Sequence, residues 1–158
     1  MLLRMLVQPA RPSPMMLPLA KLRQVPPLLK AALKARSITT CDQLLAVAAR
    51  YDDRAALARA ARIAPDQLTE LVRRADLARV KGVGTVFGRM LEDLGIGDVA
   101  KLAHQMPGRL HERLHHYNAA SQLARRSPTV DEVADWIDQA RRLPILVTYP
   151  PRDQEAAG

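Results

Sequence analysis

The chain has 158 residues, enough for one compact domain or two very small ones. Its single cysteine, Cys41, excludes an intramolecular disulfide framework and a thiolate metal cluster, and no apolar run approaches the ~20 residues that span a membrane. The formal net charge of +8 suits an anionic partner, either nucleic acid or an acidic protein surface, without deciding between them.

Alanine, leucine and arginine dominate the composition and aromatic residues make up 3%, which favours an all-α fold of short helices. Residues 1–17 contain several prolines and predict a flexible arm rather than a secretion signal, so we expect a cytoplasmic protein. Four helices are predicted next. The first covers residues 28–36, the second runs from 41 to about 50, the third follows the pair at 52 and 53 and ends at residue 62, and the fourth covers residues 65–77. Their start signals are Pro27, the Thr40 and Gln43 capping box, the pair Asp52 and Asp53, and Pro65.

The second half of the chain predicts four more helices, which makes about eight in all. They are expected over residues 85–94, from 98 to about 104, from 107 to about 118, and from 127 to about 142, with Gly95, Asp98, Pro107 and Ser127 as stop or start signals. Trp136 in the last helix is interpreted as a core anchor. Residues 145–149 are strand-like between prolines, and residues 150–158 are expected to be disordered.

Between the fourth and fifth helices lies the sequence Lys81-Gly82-Val83-Gly84-Thr85, called the glycine turn (residues 81–85) below. Two glycines so close together permit backbone angles that other residues resist, and they leave room for a ligand. The amides of Val83, Gly84 and Thr85 are expected at a helix N-terminus, where free donors and the helix dipole favour an anion. Val83 is expected to point inward and hold the turn to the core. This is the logic of a helix-hairpin-helix motif.

A shift of 58 residues brings two halves of the sequence into register. The sequence Gly82-Val83-Gly84-Thr85 then falls on Gln24-Val25-Pro26-Pro27, called the proline turn (residues 24–27) below. Its two prolines remove two of the amides that could hold a phosphate, so we expect it to pack rather than to bind an anion. The matched pairs are Leu22 with Val80, Val25 with Val83, Leu28 with Val86, Leu29 with Phe87, Leu33 with Leu91, Ile38 with Ile96, Thr40 with Asp98 and Leu44 with Leu102.

A longer pattern resembles an uncharacterised bacterial family of tandem helix-hairpin-helix domains, over roughly residues 18–149. The matching positions are Ala75, Asp76, Leu77, Arg79, Gly82, Val83, Gly84, Leu91, Gly95, Ile96, Leu102, Asn118, Arg126, Ser127, Pro128, Trp136, Ile137, Ala140 and Leu143. Gly88 departs from it, since the motif more often has alanine there, and is expected to permit close helix–helix approach. The resemblance implies a degenerate first unit (residues 18–64) and a second unit with a C-terminal helix (65–143), between the arm (1–17) and an extended or disordered tail (144–158). It implies no established biochemical role.

Phosphate binding is the first candidate function. Lys81, the glycine-turn amides with the Thr85 hydroxyl, and Arg89 one turn later are the groups expected to hold a backbone phosphate of duplex DNA without reading its sequence. Arg73, Arg74 and Arg79 are expected to add supporting positive charge. The alternative is an adaptor that packs protein helices, in which the glycines serve packing and the arginines form a solvated face. The sequence leaves duplex DNA and an unidentified protein both open as partners.

A metal site is the remaining alternative. His111, Glu112 and His115 match the H-E-x-x-H zincin signature, which on a helix places both histidines on one face with a general base beside them. The helix is short, Arg113 puts a charge where the motif is usually uncharged, and the sequence encodes no sheet to support such a site. We therefore interpret the match as a chance one and expect no catalysis, no metal and no cofactor, with a zinc metallohydrolase as a third alternative.

Overall fold

The computed structural model describes residues 17–151, and the statements of structure that follow concern this part of the chain. It forms eight α-helices and one short 3₁₀ helix, and its only β-pairing within this range is a single bridge between Pro18 and Thr40. The predicted all-α fold is thus confirmed. The predicted arm, apart from Leu17, and residues 152–158 of the predicted tail lie outside the described residues.

The helices follow one another with short connections. The 3₁₀ helix spans Leu19–Lys21, and the α-helices are α1 (Pro27–Lys34), α2 (Cys41–Ala48), α3 (Tyr51–Ala61), α4 (Pro65–Leu77), α5 (Gly84–Asp93), α6 (Val99–Ala103), α7 (Pro107–Ser121) and α8 (Val130–Arg142). None of those helices combines the length and the apolar character that crossing a membrane requires.

Most helix starts are set by local sequence, as predicted. The capping box of Thr40 is formed, and the carboxylate of Asp98 accepts a hydrogen bond from the Lys101 amide at 2.8 Å. Two starts differ from the prediction. Asp52 and Asp53 lie in the first turn of α3, after its N-cap Arg50, and therefore do not cap it. The last helix is capped by Thr129 through a capping box with Glu132, and not by Ser127.

The helices enclose two hydrophobic cores. The first core lies among α1 to α4, and α4 packs against α2 and α3 to contribute Leu68, Leu71 and Val72 to it. The second core lies among α5 to α8, and Leu77 at the end of α4 joins it. The two cores therefore divide near residue 77, whereas the expected unit boundary lies between residues 64 and 65. Trp136 is 1% exposed in the second core, which confirms it as a core anchor.

The two halves share backbone features at the predicted separation of 58 residues. Gln24 and Gly82 both have positive φ angles, of 51° and 93°, and Ser37 and Gly95 have φ angles of 62° and 85°. Non-glycine residues seldom adopt this conformation, so its presence at Gln24 shows that the proline turn bends as the glycine turn does at this point. The helices α4 and α8 each contain 13 residues and pack against the two helices before them.

After α8 the chain returns to the first core through a segment called the strap (residues 144–151) below, which has no regular secondary structure before Pro151. Val147 is buried in the first core, although it lies far from that core in sequence. The amide of Thr148 donates to the carbonyl of Ala49 at 3.0 Å, and its hydroxyl accepts from the Tyr51 amide at 2.8 Å. The strand-like run at residues 145–149 forms no β-ladder.

A buried arginine fastens the strap to the first half. Arg54 is 3% exposed, and its guanidinium donates to the carbonyls of Ala48, Ala49 and Thr148 and to the hydroxyl of Thr69. Burial lowers the pKa of Arg54 from its ordinary value. Because these acceptors come from three separate segments, one side chain holds α2, α4 and the strap together.

Tyr149 links the strap to both halves. Its hydroxyl donates to the Asp98 carboxylate at 2.6 Å and accepts from the guanidinium of Arg73 at 3.2 Å. Burial and the bond to Asp98 raise the pKa of Tyr149 to about 12. Since Asp98 caps α6 and Arg73 belongs to α4, the strap joins the second half to the first.

Candidate nucleic-acid interface

The glycine turn is held to the second core by two valines. Val80 and Val83 are 2% and 3% exposed, so the predicted inward position of Val83 is confirmed. After α4 the backbone tightens, because the amides of Arg79 and Val80 donate three residues back, to Asp76 and Leu77. The turn therefore has a fixed path, and its remaining groups point away from the core.

On one side the turn is bound by α8. The side-chain amide of Gln139 accepts from the Lys81 amide at 2.8 Å and donates to the Lys81 carbonyl at 2.9 Å. A Cβ on Gly82 would stand 3.3 Å from Nε1 of Trp136, so the absence of a side chain lets the turn lie against the indole. The sequence did not predict this role of Gln139. Its only indication there is that Gln139 lies three residues after Trp136, on the same side of α8.

On the other side the turn presents unbonded donors. No residue between 17 and 151 accepts a hydrogen bond from the amides of Gly84 or Thr85, and α5 begins without a side-chain cap. The Val83 amide differs from the expectation, because it closes the turn formed by Lys81 and Gly82. Gly84 has φ +66°, and no atom lies within 4 Å of the place where its Cβ would stand. An anion can therefore approach these amides, where the helix dipole also favours it.

Two exposed cations flank these donors. The Lys81 side chain forms no ion pair with any described residue. Arg89 is 43% exposed in its side chain and stands 4.0 Å from Asp93, a loose surface pair of small energetic effect. The Asp93 carboxylate also accepts a hydrogen bond from the Tyr117 hydroxyl, and this bond raises the pKa of Tyr117.

The three supporting arginines do not add free charge to this surface, which corrects the expectation for them. Arg79 is 8% exposed and donates to the Asp76 carboxylate and the Pro144 carbonyl, both at 2.9 Å. Arg73 lies 4.9 Å above the Tyr149 ring. Arg74 pairs with Glu92 at 3.0 Å and is 15% exposed in its side chain. Each of these arginines is engaged in contacts within the protein, so the exposed cations beside the glycine turn are Lys81 and Arg89.

Gly88 also differs from its expected role. A Cβ at this position would stand 3.7 Å from Cγ1 of Val83, which is ordinary van der Waals contact. No close helix–helix approach depends on Gly88, and the space there admits an alanine. Glycine at this point therefore weakens α5 without a packing reason in the described residues.

The histidines of α7 share a face, as predicted, but do not form a complete metal site. The rings of His111 and His115 are 6.5 Å apart between centroids. Within residues 17–151 no group of three or more His, Cys, Asp or Glu side chains is arranged to hold a metal ion. Catalytic zinc sites take three protein ligands, so α7 supplies at most part of one.

The two glycines of the turn are expected to differ in their tolerance of a side chain. Gly82→Ala combines φ +93° with the contact to Trp136, so we expect a loss of about 2 kcal/mol in the free energy of unfolding. Gly84→Ala meets open space at φ +66° and should cost about 1 kcal/mol. Urea unfolding followed by circular dichroism measures both. A Gly82→Ala variant as stable as Gly84→Ala would contradict this account of the turn.

The described residues form a small all-α fold in which the glycine turn joins α4 to α5. The chain belongs to the family described as a domain of unknown function (DUF4332), whose family model matches residues 23–143. Comparison with curated proteins and with solved structures gives no match. The matched segment begins after the 3₁₀ helix and ends before the strap, so both of these lie outside the part that defines the family.

Proposed function

We propose that this protein binds duplex DNA through backbone phosphates at the glycine turn, without reading base sequence and without catalysis. The observation that carries the proposal is the pair of consecutive unbonded amides, at Gly84 and Thr85, between the exposed cations Lys81 and Arg89. A phosphate oxygen is the acceptor that suits such donors best at a helix start. Phosphate contacts fix the position of a protein on a duplex but carry no sequence information.

We also propose that the two halves are tandem helix-hairpin-helix units, of which the first is degenerate. The paired positive φ angles at Gln24 and Gly82 support a common hairpin, and the paired caps Thr40 and Asp98 support a common second helix. The proline turn lacks the free amides of its counterpart, so only the second unit offers a backbone phosphate site. Such a protein would act on DNA in the cytoplasm.

The binding should be weak and strongly dependent on salt. Each neutralised phosphate contributes a slope of about −0.9 to the dependence of log affinity on log salt. For one or two phosphates the affinity should therefore fall by about 3.5- to 12-fold between 50 and 200 mM salt. Binding should be similar for duplexes of unrelated sequence, because no base contact is proposed.

The decisive experiment measures fluorescence anisotropy of a labelled duplex with the double variant Lys81→Glu/Arg89→Glu. We expect binding at 50 mM salt to fall by more than about 20-fold, since two attractive contacts become repulsive. The matched control is Lys30→Glu/Lys34→Glu, which makes the same charge change at two exposed positions of α1. The control should lose less than about threefold in affinity.

Two outcomes would overturn the proposal. Wild-type protein without salt-dependent duplex binding excludes it directly. Equal losses in the two double variants would show that net charge, and not the glycine turn, determines the binding. Thermal unfolding should give midpoints within a few degrees of the wild type for both variants, because all four positions are exposed and the Arg89–Asp93 pair and the Lys34 position at the end of α1 have only small energetic effects.

A protein partner is the second candidate, and one observation favours it. The cleft beside the glycine turn has a largely apolar floor that includes Leu22, Leu77 and Val83, which suits the side chains of a partner helix. An adaptor of this kind should show no retention of duplex DNA and should copurify with its partner at high salt. The metallohydrolase alternative has no comparable support, because α7 presents two histidines without a third ligand.

A further inference from the structure

The glycine turn forms one wall of a cleft between the two halves, with a volume of about 210 Å³. The opposite wall comes from the segment that precedes the proline turn and includes the 3₁₀ helix. The cleft thus brings side chains from the first half next to the proposed phosphate site. Its charged lining residues are Lys21, Arg23, Arg74, Arg89 and Glu92.

Two of the four lining cations, Arg23 and Arg74, are already paired with a carboxylate. Glu92 pairs with Arg74 at 3.0 Å and also with Arg23, and Arg74 donates to the Arg23 carbonyl at 3.0 Å. These three side chains form a bridge between the halves, with side-chain exposures of 15% to 20%. The exposed cations that the cleft can offer to an external group are therefore Lys21 and Arg89.

Lys21 has a fixed backbone and a solvent-exposed side chain. It ends the 3₁₀ helix, whose Leu19 is 2% exposed and donates its amide to the Thr39 carbonyl at 2.8 Å. Lys21 forms no ion pair with any described residue. The backbone therefore fixes where this side chain begins, and no described carboxylate pairs with its ammonium group.

We propose that Lys21 supplies a second phosphate contact, so that a neighbouring phosphate of the bound DNA strand lies in the cleft between Lys21 and Arg89. This inference rests on the proposed function and adds the first half to the DNA interface. Pro26 and Pro27 have no N–H to offer, so the first half contributes a side-chain cation where the second contributes backbone amides. The two halves then contact one duplex by different chemistry.

The test compares Lys21→Gln with Lys30→Gln, which removes the same charge from an exposed lysine on α1 that does not line the cleft. Duplex binding is measured by anisotropy from 50 to 200 mM salt. Loss of one phosphate contact should reduce the salt slope by about 0.9, so the decrease in affinity over this range becomes about 3.5-fold smaller than in the wild type. Lys30→Gln should keep the wild-type slope.

The outcomes separate this inference from the proposed function. If Lys81→Glu/Arg89→Glu abolishes binding while Lys21→Gln keeps the wild-type affinity and slope, the second contact is refuted and the glycine turn remains the site. If Lys30→Gln changes the slope as much as Lys21→Gln, the effect is one of net charge and the inference is again refuted. If the wild type does not bind duplex DNA, both proposals fail. Unchanged thermal unfolding of Lys21→Gln ensures that a lower slope reports binding.

Discussion

A chain that ends at Leu143 is expected to lose most of the stability of its first core, although the deleted residues follow the last helix. Truncation removes Val147 from that core, and burying a side chain of this size contributes about 1.5–3 kcal/mol. It also removes the Thr148 carbonyl from Arg54 and the Pro144 carbonyl from Arg79. Leaving buried donors unsatisfied costs about 1–3 kcal/mol each. The total, on the order of 4 kcal/mol or more, approaches the whole stability of a small domain.

The truncation matters in practice because the family match ends at residue 143, where a shortened protein would naturally be cut. A chain that ends at Pro151 keeps the strap and is the matched control. Urea unfolding followed by circular dichroism measures the loss, and amide hydrogen exchange locates it. Protection should fall first in α3 and α4, which border the strap through Arg54 and Arg73. Equal unfolding midpoints for the two chains would contradict this role of the strap.

Features that depend on neighbouring residues could be predicted from the sequence. The Thr40 capping box, the Asp98 cap and the first-turn prolines Pro65 and Pro107 each act within one helical turn, so their signals are complete in a short window. The inward Val83 followed from its position between two glycines. For the same reason the all-α fold and most helix starts could be predicted from the sequence.

Features that depend on contacts distant in sequence could not be predicted. The sequence of the strap predicts only a strand-like tail, because the partners of Thr148, Arg54 and Ala49, lie 94 and 99 positions earlier in the chain. Gln139 binds the glycine turn across 58 residues and looks like an ordinary polar residue on a helix. The charge of Arg79 suggested a surface cation, and only the fold shows that it is buried against Asp76. Counting arginines near the turn therefore overestimated its free positive charge.

The pair of Asp76 and Arg79 should have the second large effect on stability. The two side chains are 4% and 7% exposed, and Asp76 also accepts from the Val99 amide at 2.9 Å. Burial raises the pKa of Asp76, while the bonds from Val99 and Arg79 oppose that rise. Arg79→Met removes one of these opposing bonds and leaves a buried carboxylate without its cation. Removing one partner of a buried pair costs about 3–5 kcal/mol.

The pH dependence of the lost stability distinguishes an unpaired Asp76 carboxylate from lost packing as the cause of the defect in Arg79→Met. A carboxyl group whose pKa is raised by folding favours the folded state below its unfolded pKa, and this contribution is lost as the pH rises through the folded pKa. In Arg79→Met the pKa of Asp76 should rise further, so the loss of stability should be largest at pH 7 and smaller near pH 4. A packing defect would be equal at both pH values.

A second substitution and a matched control complete this test. Asp76→Asn/Arg79→Met should recover most of the lost stability at pH 7, because an asparagine oxygen still accepts from the Val99 amide and carries no charge. Arg142→Met removes an exposed pair with Asp138, whose side chains are 69% and 64% exposed, and should cost less than about 1 kcal/mol. If Arg79→Met costs no more than Arg142→Met, the buried pair does not hold α4 to the start of α6. If the double variant is no more stable than Arg79→Met, lost packing rather than the buried charge explains the defect.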